Sequence, residues 1–317
     1  MIFAVWIPLL MPLLAVPAAR RAAEWLPPRA AAWTLAGFSV VLAGSSTASL
    51  GLLASAGALR LPPVAALGHL SPPLLGDGSP VLVPASVLAA LALAAGAFAL
   101  VRTALRQRRE MRAARAGSAG ADELSVRPDE LPYAYALPGR PDRIVVTTGM
   151  LRSLDARERE VLFAHERAHL AGRHHLFLAA AELAVTLHPM LRGLREPLAY
   201  ALERWADESA ATATGDRALT ARAIGRAALA AARFPGAGSR PRTALAVAAG
   251  PVPRRVTALL TTNATAARPR KALRRALAGA LLVCAALSAG AVADAAHDLH
   301  AGVEAAQGET GRSTARS

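Results

Sequence analysis

The chain has 317 residues, of which 54% are hydrophobic and only 4% aromatic, and its formal net charge is +14. Its hydrophobicity therefore comes from long runs of alanine, leucine and valine. The single cysteine, Cys284, excludes an internal disulfide and a zinc site built from several cysteines.

Four apolar runs come close to the ~20 residues that cross a bilayer core. They are Ile2 to Ala19, Ala30 to Leu59, Val81 to Val101, and Leu277 to Val292, the last reaching Ala296 if Asp294 lies near the interface. The first run has no basic start and further runs follow it, so we expect a retained helix rather than a signal peptide. The sequence predicts a mainly α, polytopic membrane protein with about four transmembrane helices.

Arginine clusters beside these runs predict the orientation, because cytoplasmic loops near membrane spans retain positive charge. The basic residues concerned are Arg20, Arg21 and Arg29; Arg102, Arg106, Arg108, Arg109, Arg112 and Arg115; and Arg268, Arg270, Lys271, Arg274 and Arg275. All three clusters lie on the cytoplasmic side of the membrane if the N-terminus is outside the cell. We therefore expect a multi-pass protein of the plasma membrane, with residues 116 to 267 in the cytoplasm and the tail after Ala296 outside.

The same clustering bears on the partners of the basic chain. Its charges lie beside hydrophobic runs rather than along a helix face interleaved with aromatic residues. This favours anionic membrane lipids, and we expect no nucleic acid partner.

Between the third and fourth apolar runs, the amino-acid composition first becomes typical of a linker and then of a β-hairpin. Residues 113 to 132 begin with alanine, glycine, serine and arginine, which predicts a flexible linker. Tyr133 to Leu137 and Arg143 to Thr147 then flank a Pro-Gly-Arg-Pro turn, which is typical of a small β-hairpin. The second strand is either an edge that aligns a substrate backbone by strand addition or part of an ordinary hairpin that caps the core.

The sequence His165-Glu-Arg-Ala-His169 follows in a segment without proline or glycine until Gly172. We expect a helix there, with Ser153 as a plausible N-cap. Residues four apart share a helix face, so both imidazoles can reach one metal ion. Glu166 is then placed to take a proton from a water molecule and pass it to a leaving amine.

A second helical segment supplies further acidic groups about thirty residues later. Glu203 is the natural third ligand, and Asp207, one turn on, can accept the free ring N–H of a ligating histidine. Glu182 is an alternative ligand, although the Glu203-x-x-x-Asp207 pattern fits better. We expect His174 and His175 to lie near the site rather than to ligate, and His188 to end a helix rather than to assist catalysis.

The run from Arg143 to His169, followed by Glu203-x-x-x-Asp207, resembles the integral-membrane zinc peptidases of the BlaR/MecR antirepressor type. It is similar, more distantly, to the HtpX and CAAX-processing membrane peptidases. The resemblance covers roughly Tyr133 to Leu260 and implies a zincin-like helical peptidase domain. It further implies one zinc ion held by His165, His169 and Glu203, with Glu166 as the catalytic base. The antibiotic-sensing members carry a penicillin-binding domain after their last span, and this sequence ends at Ser317, so we expect no β-lactam sensing.

The predicted organisation is a membrane domain with three spans (1–112), a linker (113–132), a zinc peptidase domain (133–267), a basic segment with the fourth span (268–296) and an extracytoplasmic tail (297–317). The predicted function is zinc-dependent endopeptidase activity, with a transcriptional repressor as the protein substrate that the resemblance implies. The alternatives are an HtpX-like quality-control protease and a catalytically silent zinc-binding scaffold, whose closed site would need Asp207 or His174 as a fourth ligand. The oligomeric state is not predicted.

Overall fold

The computed structural model describes residues 2–67, 82–117, 122–234, 251–261 and 271–314. The helices are α1 (Ile2–Trp25), α2 (Pro28–Ala58), α3 (Pro62–Leu67), α4 (Leu82–Ala116), α5 (Thr148–Ser153), α6 (Ala156–Ala171), α7 (His174–Leu187), α8 (Arg195–Thr214), α9 (Arg217–Ala232), α10 (Val252–Leu260) and α11 (Lys271–Thr314). A 3₁₀ turn, Pro189–Leu194, joins α7 to α8. The strands are β1 (Leu124–Arg127), β2 (Ala134–Leu137) and β3 (Arg143–Thr147).

Four helices within the described ranges are long and apolar enough to cross a membrane, and they lie in α1, α2, α4 and α11. Each contains most or all of one predicted apolar run; Val81 and residues 68–80, between the second and third runs, lie outside the described residues. The predicted fold class, mainly α and polytopic with a peptidase domain and a small sheet, is confirmed. The helices extend further than the runs, however. In particular, α11 joins the described part of the basic segment, from Lys271, to the fourth run and most of the predicted tail in one continuous helix, while Arg268 and Arg270 lie outside the described residues.

Helices α1 and α2 pack together through small side chains and one hydrogen bond between the helices. Pro12 has no N–H, so the carbonyl of Pro8, four residues earlier, has no regular helical donor. The hydroxyl of Ser46, from α2, donates to that carbonyl at 3.0 Å. A backbone group within an apolar helix is thereby satisfied from the neighbouring helix, as a membrane interior requires.

A single hydrophobic core connects the first two helices with the helices behind them. Leu35 and Leu42 of α2 are fully buried in the same cluster as Leu191, Leu198 and Leu202 from the 3₁₀ turn and α8. Because apolar burial is the main stabilising contribution to folding, this continuity fixes α8 against the membrane helices. The candidate site on α8 is therefore anchored directly to α2.

The sheet has the strand order β1-β3-β2. The predicted hairpin is present, with β2 and β3 antiparallel and Tyr135 opposite Val145. Of the two alternatives for the second strand, the edge that aligns a substrate is wrong, because β1 pairs with β3 in parallel on its other side. Composition does not predict β1, which lies within the segment assigned to a linker.

Candidate metal centre

Helix α6 presents the two histidines of the His165-Glu-Arg-Ala-His169 sequence. The predicted N-cap, Ser153, is wrong: Ser153 ends α5, and Asp155 caps α6. Asp155 accepts a hydrogen bond from the backbone N–H of Glu158, whose side chain accepts one from the N–H of Asp155 in return. This reciprocal capping box fixes the start of the helix.

Gly172 is the C-cap of α6, three residues after His169. The following residue, Arg173, adopts a left-handed conformation with φ of 50° and begins the turn into α7. His174 and His175 thus belong to a different helix from His165 and His169, as the sequence analysis expects from the break at Gly172.

Three potential metal-binding side chains converge between α6 and α8. The Nε2 atoms of His165 and His169 lie 3.0 Å apart. The carboxylate of Glu203 lies 3.5 Å from the Nε2 of His165 and 3.6 Å from that of His169. All three residues are buried, and they are the group of possible metal ligands found among the described residues.

These distances can be compared with what a metal ion demands. Tetrahedral zinc binds nitrogen and oxygen at about 2.0–2.2 Å, which places its donor atoms about 3.3 Å from one another. The observed separations of 3.0, 3.5 and 3.6 Å lie on both sides of that value. The donor set of two imidazoles and a carboxylate therefore fits zinc in chemistry and in spacing.

The outer ring nitrogens of both histidines are held by neighbouring side chains. The Nδ1 of His165 lies 3.1 Å from Oδ1 of Asp207, and the Nδ1 of His169 lies 2.7 Å from the Nδ1 of His174. Because a carboxylate only accepts, the contact with Asp207 selects the tautomer of His165 that leaves Nε2 with a free lone pair. Both contacts fix the orientation of the rings. Asp207 is thus in contact with the outer nitrogen of one possible ligand.

Arg255 is the functional residue that the sequence analysis does not identify. Its guanidinium is fully buried and contacts Asp207 twice, with Nε at 2.8 Å from Oδ2 and Nη2 at 2.6 Å from Oδ1. Its Nη1 lies 2.7 Å from the carboxylate of Glu203. One cation therefore joins two acidic groups of the site.

A sequence signal for Arg255 does exist. The short helix α10 is strongly amphipathic, and Arg255 shares its apolar stripe with Val252, Val256 and Leu259. A charged residue in an apolar stripe is almost never fully buried without a partner. The acidic partners, 48 and 52 positions earlier, could not be identified from spacing.

Burial and neighbouring charges both shift the pKa values of the site, in opposite directions for His165 and Asp207 and in the same direction for His169 and His174. Burial alone would lower the pKa of His165, but hydrogen bonds with Asp207 and Glu203 outweigh it and raise that pKa to about 9. Burial raises the pKa of Asp207, and the contacts with Arg255 more than reverse this, so that the pKa lies below its ordinary value. Burial and the nearby cations lower the pKa of His169, and the pKa of His174 falls to about 3 for the same reasons. Asp207 is consequently a permanent anion at neutral pH.

Glu166 follows His165 on the same helix and is fully buried. Two further polar residues that the sequence suggested, Glu182 and His188, lie outside the cluster of possible ligands. Glu182 lies 2.8 Å from Arg195 at the surface, apart from the cluster. His188 is buried at the end of α7, as expected.

The fold and the site together define a class: a metallopeptidase domain, with its possible ligands on two packed helices, attached to helices able to span a membrane. Comparison with protein families agrees with this class, since residues 99–228 match Peptidase family M48. Peptidases of that family are zinc-dependent. The match includes His165, Glu166, His169, Glu203 and Asp207, and it ends before Arg255. It supports membrane zinc metallopeptidases broadly, without separating the BlaR/MecR type from the HtpX type. No curated protein and no solved structure matches the chain.

Proposed function

We propose that the protein is a membrane-embedded, zinc-dependent endopeptidase in which His165, His169 and Glu203 hold one zinc ion. The observation that carries this proposal is the convergence of their three donor atoms at the spacing that tetrahedral zinc requires. The match of this segment to a metallopeptidase family supports it independently.

A bound zinc ion supplies Lewis-acid chemistry, because it polarises a carbonyl oxygen and makes a water molecule acidic enough to lose a proton near neutral pH. Glu166 takes that proton and then delivers it to the amine nitrogen of the cleaved peptide bond. Asp207 holds the ring of His165 in place, and Arg255 in turn holds Asp207. Because these groups are buried, their charges act in a low dielectric and keep their orientation during the reaction.

The contacts of Asp207 and His174 favour an enzyme over a structural zinc site. A structural site is normally closed by a fourth protein ligand. Asp207, one of the two candidates, lies on the outer nitrogen of His165 and is held there by Arg255. The other, His174, lies on the outer nitrogen of His169. Both are engaged away from the point where the three donors converge, which leaves a coordination position for a substrate or a water molecule.

A chelator experiment on the purified full-length protein separates the enzyme from the silent scaffold. Zinc content is measured together with cleavage of denatured casein and of the protein's own chain. We expect one zinc per chain, loss of cleavage on chelation and recovery on adding zinc back. A preparation that carries one zinc per chain but cleaves neither probe would support the scaffold.

We further propose that the active site lies at the cytoplasmic face, with the N-terminus outside. Contacts at the basic end of α1 support this arrangement. Arg20 donates to the carbonyl of Gly193 at 3.1 Å, and Glu24 lies 2.6 Å from Arg254 of α10. The arginine-rich end of the first span is therefore on the same side as the peptidase elements. Labelling of cysteines introduced into the loop between α1 and α2 tests this: they should react only with reagents that cross the membrane.

For the biological role we propose signal-dependent cleavage of a transcriptional repressor, an expectation that rests on the resemblance to the BlaR/MecR peptidases. The alternative from the HtpX resemblance is degradation of misfolded membrane proteins. Comparing new protein N-termini in cells that express the wild type or the Glu166→Gln variant distinguishes the two. A single cleaved DNA-binding protein indicates the repressor role, and many unfolded membrane proteins indicate quality control.

A further inference from the structure

A large apolar groove lies beside the metal centre, between α2, α6, α7 and α8. Its volume is about 960 Å³. The apolar side chains that line it include Trp33, Val40, Val41, Leu176, Phe177 and Trp205. Trp33, Val40 and Leu176 are each at least half exposed, at 61%, 50% and 52%. Trp33 and Val40 belong to α2, one of the helices able to cross a membrane, so that in a bilayer they would be open to lipid.

Two basic side chains line the groove. Arg29 and Arg173 both line it, both are exposed, and no acidic side chain is among its described lining residues. The guanidinium of Arg29 lies 5.4 Å from the ring centroid of Trp205, an arrangement that restrains the cation over the aromatic face. Arg29 stands at the start of α2, and Val41 lies twelve residues further on, about 18 Å along the helix axis. The groove thus combines two cations with an extended apolar wall.

We propose that this groove binds one anionic phospholipid. The phosphate lies between Arg29 and Arg173, and one acyl chain lies along Trp33, Val40 and Val41. Charge complementarity selects this occupant, because two arginines without an acidic neighbour in the lining favour an anionic headgroup over a zwitterionic one. A segment of a substrate's membrane helix would gain little from the two cations.

The groove also adjoins the metal centre. Ala168 and Ala171 of its wall belong to α6, and the ring of Trp205 lies 4.5 Å from that of His174, which contacts His169. The lipid would therefore rest against the helices that carry the site. Its binding does not depend on peptide hydrolysis.

Native mass spectrometry of the full-length protein tests the proposal, with phosphatidylglycerol and phosphatidylcholine as probes. We expect one phosphatidylglycerol per chain to be retained in preference to phosphatidylcholine. Replacing both Arg29 and Arg173 by glutamine should weaken that binding by about 30-fold, since each arginine near a phosphate contributes on the order of a fivefold factor. Arg102→Gln, within α4 and outside the groove lining, is the matched control and should bind as the wild type does.

A second pair of variants tests the acyl chain without changing charge. Gly37 lines the groove, and a Cβ added there meets nothing within 4 Å, so Gly37→Leu fills the groove without a clash. Gly44→Leu, on the same helix with equally open space and outside the lining, is the control. We expect Gly37→Leu alone to reduce retention of phosphatidylglycerol.

Three results would overturn the proposal. They are equal retention of both lipids, unchanged binding in both groove variants, and full displacement of the lipid by glycerol phosphate, which would indicate a phosphate site without an acyl groove. Zinc content measured on the same samples keeps a failure here distinct from a failure of the proposed metal centre.

Discussion

Arg255 and Asp207 form a buried two-point ion pair, with nitrogen–oxygen distances of 2.8 and 2.6 Å, although 47 residues separate them in the chain. Asp207 uses the same carboxylate to hold the Nδ1 of His165 at 3.1 Å. Helix α10 thereby acts on His165 through one intermediate side chain, and it contacts Glu203 directly through Nη1 of Arg255 at 2.7 Å. The orientation of two possible metal ligands depends on one buried arginine.

Replacing Arg255 by methionine should strongly destabilise the protein. The change keeps an apolar stem of similar length but leaves Asp207 and Glu203 buried without their cation, and breaking a buried pair in this way costs about 3–5 kcal/mol. Thermal unfolding in detergent measures the effect. Arg254→Met is the control, since that exposed arginine pairs with Glu24 at the surface and should contribute no more than about 1 kcal/mol. Equal losses of stability in the two variants would show that the buried pair stabilises the protein no more than the surface pair does.

Replacing Asp207 by asparagine should weaken zinc binding while leaving the three donors in place. The neutral amide orients His165 less firmly, and loss of such an outer contact typically lowers metal affinity by about 10–100-fold. Competition with a chelator of known affinity measures the change. Glu208→Gln alters the next residue of α8, whose carboxylate pairs with Arg217, and should leave zinc affinity unchanged. Wild-type affinity in the Asp207 variant would remove this residue from the metal centre.

Asp155→Ala should destabilise the protein by about 1 kcal/mol, because it removes the N-cap of the helix that carries both histidines. Ser153→Ala should cost less, since the hydroxyl of Ser153 donates within α5, to the carbonyl and the sulfur of Met150, and not to the start of α6. Unfolding temperatures of the two variants can be compared directly. A larger effect at Ser153 would restore the N-cap expected from the sequence.

Local patterns predict much of this fold, and contacts between distant segments account for what they miss. The apolar runs, the hairpin and the helix around His165 follow from periodicity within a few turns of chain. The start of α6 can also be predicted from the sequence, because Asp155-x-x-Glu158 is a capping-box pattern, although Ser153 is a second candidate for the N-cap. Strand β1 is only four residues long and pairs in parallel, so that no turn signal marks it. Arg255 meets its acidic partners only through the packing of α10 on α8, which spacing along the chain does not encode.

Zinc content and peptide-bond cleavage, measured together on wild-type protein and the Glu166→Gln variant, test the central claim most directly. The variant preserves the shape of the side chain but cannot accept a proton. We expect one zinc per chain in both proteins, and new protein N-termini produced by the wild type alone, with the rate falling by about 100-fold or more in the variant. Cleavage by the variant at the wild-type rate would contradict the assignment of Glu166 as the base and with it the proposed mechanism.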